Sequence, residues 1–76
     1  MKVFILMAVH NDGTTLKRGC FTDPRSAMMG IDGELYWSEF TATFKQGERN
    51  VVRTCYRAID ADNRIRFIIV PEYIQL

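Results

Sequence analysis

Seven apolar residues run without a break from Val3 to Val9, behind Met1-Lys2 and ahead of His10-Asn11-Asp12-Gly13. A run of this length, bounded by turn residues and rich in β-branched and large side chains, predicts a strand with no polar face, buried on both sides. Asn11-Asp12-Gly13 predicts a three-residue hairpin loop with Gly13 left-handed. Closed in that way, the hairpin sets His10 opposite Thr14, Ala8 opposite Leu16 and Phe4 opposite Cys20. The second strand, Thr14 to Phe21, carries Lys17 and Arg18 and has the polarity of a sheet edge.

Thr22-Asp23-Pro24 then puts a capping side chain before a proline suited to the first helical position. A short helix should follow to about Met29, ended by Gly30 and Gly33. Between Glu34 and Lys45 the periodicity is ambiguous. Tyr36, Phe40 and Phe44 recur at helical spacing, yet Tyr36, Phe40, Ala42 and Phe44 also share one strand face; Thr41, Thr43 and the aromatics decide for a strand. A loop at Gly47-Glu48-Arg49 pairs Phe44 with Val52, Ala42 with Thr54 and Phe40 with Tyr56, leaving Glu39 with Arg57 and Thr43 with Arg53 on the other face. A four-residue loop at Asp60-Ala61-Asp62-Asn63 sets Tyr56 opposite Phe67, Thr54 opposite Ile69 and Ala58 opposite Ile65. Its reverse face holds Arg53, Cys55, Arg57, Arg64, Arg66, Ile68 and Val70. Pro71 should end the ladder, and Glu72 to Leu76 remain as a tail whose apolar residues need a docking place.

The predicted fold is therefore α+β: an antiparallel sheet of about five strands, in two- and three-stranded groups, with one short helix between the second and third strands. One helix covers one face, whereas Val3 to Val9 and Phe67 to Val70 are apolar on both. The second face could be covered by curling into a small barrel, by a homodimer, or by a permanent partner protein. The 76 residues make a single domain without a linker, and a chain of this size buries only roughly 60% of its unfolded surface. Self-association or partner binding is thus favoured over closure within the monomer.

Composition sharpens this in three ways. With 47% hydrophobic and 25% charged residues the chain is globular rather than disordered. Ten Lys and Arg against nine Asp and Glu leave a net charge of +1, which removes the long-range field of a general nucleic-acid or anionic-membrane binder. The first apolar run is short for a signal peptide and lacks a small-residue cleavage site, and no stretch is long enough to span a membrane. The expectation is a cytoplasmic protein whose two cysteines, Cys20 and Cys55, are buried free thiols.

Candidate chemistry is sparse. His10, the only histidine, lies about six residues or ~20 Å along the first hairpin from Cys20, so a cysteine–histidine pair is not expected there. Asp12, Asp23, Asp32, Asp60 and Asp62 all fall where turns and caps use them. Asp60, Asp62 and Asn63 lack the glycine and distal glutamate of a calcium loop, and Gly30 and Gly33 lack the surroundings of a phosphate loop. No catalytic residue, metal ligand or cofactor is expected. The one feature that stands out is an arginine group, Arg53, Arg57, Arg64 and Arg66, with Arg49 in the adjoining loop and Trp37 able to join them. Guanidinium groups beside an aromatic suit either a protein contact or a single-stranded nucleic acid. The reading is a small non-enzymatic protein-binding module acting as a homodimer or by docking on a partner protein. Motif-free chains of this size are often accessory regulators or inhibitors, those of phages and mobile elements among them. A nucleic-acid-binding β module using the arginine face is the alternative.

Overall fold

A computed structural model of the protein describes residues 1–74. Five strands, β1 (Lys2–Val9), β2 (Thr15–Phe21), β3 (Tyr36–Gln46), β4 (Arg49–Ile59) and β5 (Ile65–Tyr73), form one antiparallel sheet, with helix α1 (Pro24–Met29) between β2 and β3. The order across the sheet is β2-β1-β5-β4-β3. The α+β architecture expected from the residue pattern is therefore present, the sheet is open rather than closed into a barrel, and β2 is an edge. The continuous apolar run of β1 lies inside the sheet, between β2 and β5.

The first hairpin closes as its turn residues require. The His10 N–H donates to Thr14 O at 2.8 Å, and Gly13 has φ +88. Asp12 Oδ1 accepts from the Thr14 N–H (3.0 Å) and hydroxyl (2.7 Å), and these bonds hold its carboxyl below the ordinary value. Ala8 faces Leu16 as expected, but the register shifts between Leu6 and Met7, so that Phe4 faces Phe21 and Cys20 faces Ile5. Arg18 is the additional residue of this bulge. Gly19 follows it because a Cβ there would come within 2.9 Å of the Phe21 ring.

Helix α1 starts where sequence places it. Asp23 caps it, accepting from the Ser26 N–H at 2.8 Å and the Ser26 hydroxyl at 2.9 Å, with Pro24 in the first turn. Its buried residue, Ala27, meets Leu6 and Ile69, and Phe4, Phe21, Met28, Ile31, Trp37, Tyr56 and Phe67 pack around these three. This is the core on the helix side. Ile69 and Ala27 are fully enclosed because β5 lies at the middle of the sheet and α1 packs across β1 and β2.

Two further registers differ from the sequence expectation. The β3–β4 turn has two residues, Gly47 and Glu48, with Gln46 paired to Arg49; Gly47 alone has positive φ (+64), the pattern of a type II′ turn. A three-residue loop would have shifted the pairing by one. Phe44 therefore faces Val51 rather than Val52, Phe40 faces Cys55 rather than Tyr56, and Ala42 faces Arg53 rather than Thr54. The expected pairs Glu39–Arg57 and Thr43–Arg53 are replaced by Glu39–Tyr56, Ser38–Arg57 and Thr43–Val52. In the β4–β5 hairpin the Asp60 N–H donates to Arg64 O, and Asn63 supplies the left-handed residue (φ 61). The loop closed on that pair and a bulge at Arg66 each shift the pairing by one residue, moving the partner of Tyr56 from Phe67 to Ile69 and that of Ala58 from Ile65 to Phe67.

Pro71 does not end β5. It pairs with Phe4 of β1, Glu72 and Tyr73 continue to Val3 and Lys2, and the Ile74 N–H donates to Met1 O at 2.7 Å. Much of the expected tail is thus strand; Gln75 and Leu76 lie outside the described residues. Toward β4, by contrast, the ladder stops at Tyr56–Ile69, just before the position where proline has no N–H to offer. Among the described residues, the outer half of the β3–β4 hairpin is left as an arm paired only within itself.

Candidate functional site

The one-residue difference in the β3–β4 register decides what this arm carries. Because facing residues share a side of the sheet, Phe40, Ala42 and Phe44 of β3 lie on the same face as Val51, Arg53, Cys55 and Arg57 of β4. The aromatics are with the arginines, not opposite them. Ile68 and Val70 of β5 continue this face, as do Val3, Ile5 and Met7 of β1. Helix α1 is on the other side. Val3, Ile5 and Cys55 are nevertheless buried.

Arg57 lies over the Phe40 ring, its Cζ 5.5 Å from the centroid. Arg53 lies over the Tyr73 ring at 4.2 Å, and its Nη2 donates to Gln46 Oε1 at 3.1 Å. Both guanidinium groups are thus oriented by aromatic faces, a contact of about 0.5–1 kcal/mol at an exposed site. Neither has a carboxylate partner among the described residues. Where the arm parts from β5, a cleft of about 380 Å³ opens, lined by Phe44, Gln46, Val51, Arg53, Val70 and Tyr73 among others.

The remaining residues singled out in the sequence are distributed differently. Trp37 faces Ala58, on the helix side, and packs half-buried against the core; it does not join the arginines, a direct consequence of the register. Arg49 is at the tip of the arm. Arg64 is in the turn at the other end of β4, and Arg66 in the bulge beside it, where its Nη1 is 3.8 Å from Asp60 Oδ2. Asp60 also accepts from the N–H groups of Asp62 and Arg64 at 2.9 and 3.0 Å. With 11 residues in β4, Arg49 and that turn are separated by ~33 Å at ~3.3 Å per residue. The six residues therefore do not form one cluster, and only Arg53 and Arg57 share the aromatic face. Tyr73 and Gln46, which orient Arg53, had no signal in the sequence beyond lying in or next to strands.

Other chemistry finds no constellation. His10 is exposed at the β1–β2 turn. Cys55, level with Val70 and hence with Ile5, is about five residues along the strands from it, roughly 17 Å before the inter-strand offset is counted. Cys55 is buried, which pushes its thiol up, but Cys20 is exposed, contrary to expectation. Cys20 faces Ile5, so β1 and β5 stand between the two thiols, a spacing of roughly 14 Å that excludes a disulfide between them. Among the described residues no group of His, Cys, Asp and Glu side chains could hold a metal ion, and no helix is long and apolar enough to cross a membrane. Compared with protein-family models, curated proteins and solved structures, the chain matches none.

Proposed function

We propose that the protein is a non-catalytic docking module that binds another protein through the Phe40, Arg53 and Arg57 face of the β3–β4 arm, acting as an accessory regulator or inhibitor in the cytoplasm. The observation that carries this reading is the pair of arginines held against aromatic rings, without acidic partners among the described residues, on the side of the sheet away from α1. Arginine and aromatic residues are the types that most often anchor protein interfaces. A guanidinium already fixed by stacking loses little freedom when it binds. The chemistry favours a partner presenting carboxylates beside apolar surface: the former for Arg53 and Arg57, the latter for Phe40, Phe44 and Val51.

The nucleic-acid reading draws less support. It needs several phosphate contacts along one track, whereas Arg49, Arg64 and Arg66 lie away from the central pair. The discriminating experiment is affinity capture with the full chain and with Arg53→Ala/Arg57→Ala, the folding of both checked by circular dichroism. A partner protein retained in stoichiometric amount by the native chain and lost with the variant supports the proposal. Identical capture by both chains, or retention of single-stranded DNA that falls steeply with salt, would overturn it.

A further inference from the structure

The two edges of the sheet are not alike. On β2 the bulge at Arg18, the charges of Lys17 and Arg18 and the side-chain-free Gly19 interrupt the strand, which is how proteins discourage further pairing. On β3 the pairing with β4 runs from Tyr36 to Gln46 without a shift in register, and the strand has no proline, glycine or bulge. Its outer side is a long regular edge. A two-residue turn closes on a hydrogen-bonded pair, here Gln46 with Arg49. Alternation along the strand then directs the N–H and C=O groups of Trp37, Glu39, Thr41, Thr43 and Lys45 away from β4, toward that open side.

We infer that β3 pairs antiparallel with β3 of a second copy of this chain, about a two-fold axis at Ala42. A two-fold axis perpendicular to the sheet requires facing residues to share a strand face, and the sequence of β3 is complementary to itself in this register. Glu39 faces Lys45 of the partner subunit, Thr41 faces the partner's Thr43, and Phe40 faces the partner's Phe44, each pair occurring twice by symmetry. Opposite charges, threonine pairs and aromatic pairs are the cross-strand combinations that stabilise antiparallel sheets. Charge fixes the register: with β3 pairing to itself, only the axis at Ala42 puts Glu39 opposite Lys45. Both residues are exposed and make no ion pair among the described residues. The two sheets become continuous, and the Arg53 and Arg57 faces of the two copies lie on the same side. The inference does not depend on the docking reading, since it uses the edge of β3 and not the arginines.

The test is sedimentation of the native chain, of Glu39→Lys and Lys45→Glu separately, and of the two variants mixed. The native chain should sediment as a dimer. Each variant alone opposes like charges twice and should dissociate roughly tenfold more readily or worse. In an equimolar mixture, a strand with lysine at both positions meets a strand with glutamate at both, and the dimer should return. A native chain that stays monomeric at several hundred micromolar overturns the inference. So does a dimer indifferent to both substitutions, or a mixture no more associated than its components. A failed partner capture with a normal dimer would count against the docking reading alone.

Discussion

Replacing Ile69 by alanine tests whether α1 and the sheet share a single core. Ile69 is fully enclosed, sits at the centre of the strand order and packs with Leu6 and Ala27. Truncating it removes three methylene-sized groups, worth about 0.8 kcal/mol each in transfer, and leaves a cavity that the rigid strands on both sides cannot collapse. The expected loss is about 3 kcal/mol, within the range for such changes in cores. A domain of this length has a total stability of only about 4–11 kcal/mol, so the urea midpoint should fall by about a quarter or more with little change in slope. Val52→Ala is the internal control: Val52 is 69% exposed and its loss should cost less than about 0.5 kcal/mol. A change below about 1 kcal/mol for Ile69→Ala, or equal changes for the two variants, would refute the claim that this core holds the helix to the sheet.

Three further outcomes are expected. Asp23 accepts two hydrogen bonds at the start of α1, which depress its carboxyl pKa from 3.8; a carboxyl depressed in the folded state contributes stability above its unfolded pKa and loses it as pH falls through the folded value. Asp23→Ala should therefore lower the urea midpoint at neutral pH and leave a smaller gap from the native chain below pH 3, as followed by circular dichroism. A thiol reagent should modify Cys20 quickly and Cys55 only on unfolding, giving one rapid equivalent per native chain; two rapid equivalents would contradict the burial of Cys55. Gly47→Val should destabilise the arm by about 1–2 kcal/mol, because φ +64 is costly for a β-branched residue. Loss of hydrogen-exchange protection should then be largest in Thr43 to Gln46 and Arg49 to Val52.

What could be read from the residues was what is decided locally. Asp23 and Pro24 set the start of α1, Gly13 and Asp12 set the first turn, and the apolar run from Val3 to Val9 marked an interior strand. These signals act within a few residues of one another. The registers were less legible. Gly47-Glu48-Arg49 serves equally as a two- or three-residue connection by composition, and the facing pairs that would arbitrate are worth only about 0.2–1 kcal/mol each. Arg18 and Arg66 have no property that marks them as bulge residues; their positions follow from how β1 and β5 fit their neighbours. The site inherited these errors. One step in the β3–β4 register carried Phe40 and Phe44 onto the arginine face and Trp37 away from it, while the Arg53–Tyr73 contact depends on β5 continuing past Pro71, which only its pairing with β1 explains.

Everything functional in this account rests on the pairing of β3 with β4, and nuclear Overhauser effects between backbone protons measure it most directly. Strong Hα–Hα contacts are predicted between Thr41 and Thr54 and between Thr43 and Val52, the closely spaced non-hydrogen-bonded pairs of this ladder. Strong contacts between Ala42 and Thr54, or between Phe44 and Val52, would place the aromatic residues on the opposite face from Arg53 and Arg57 and contradict the account.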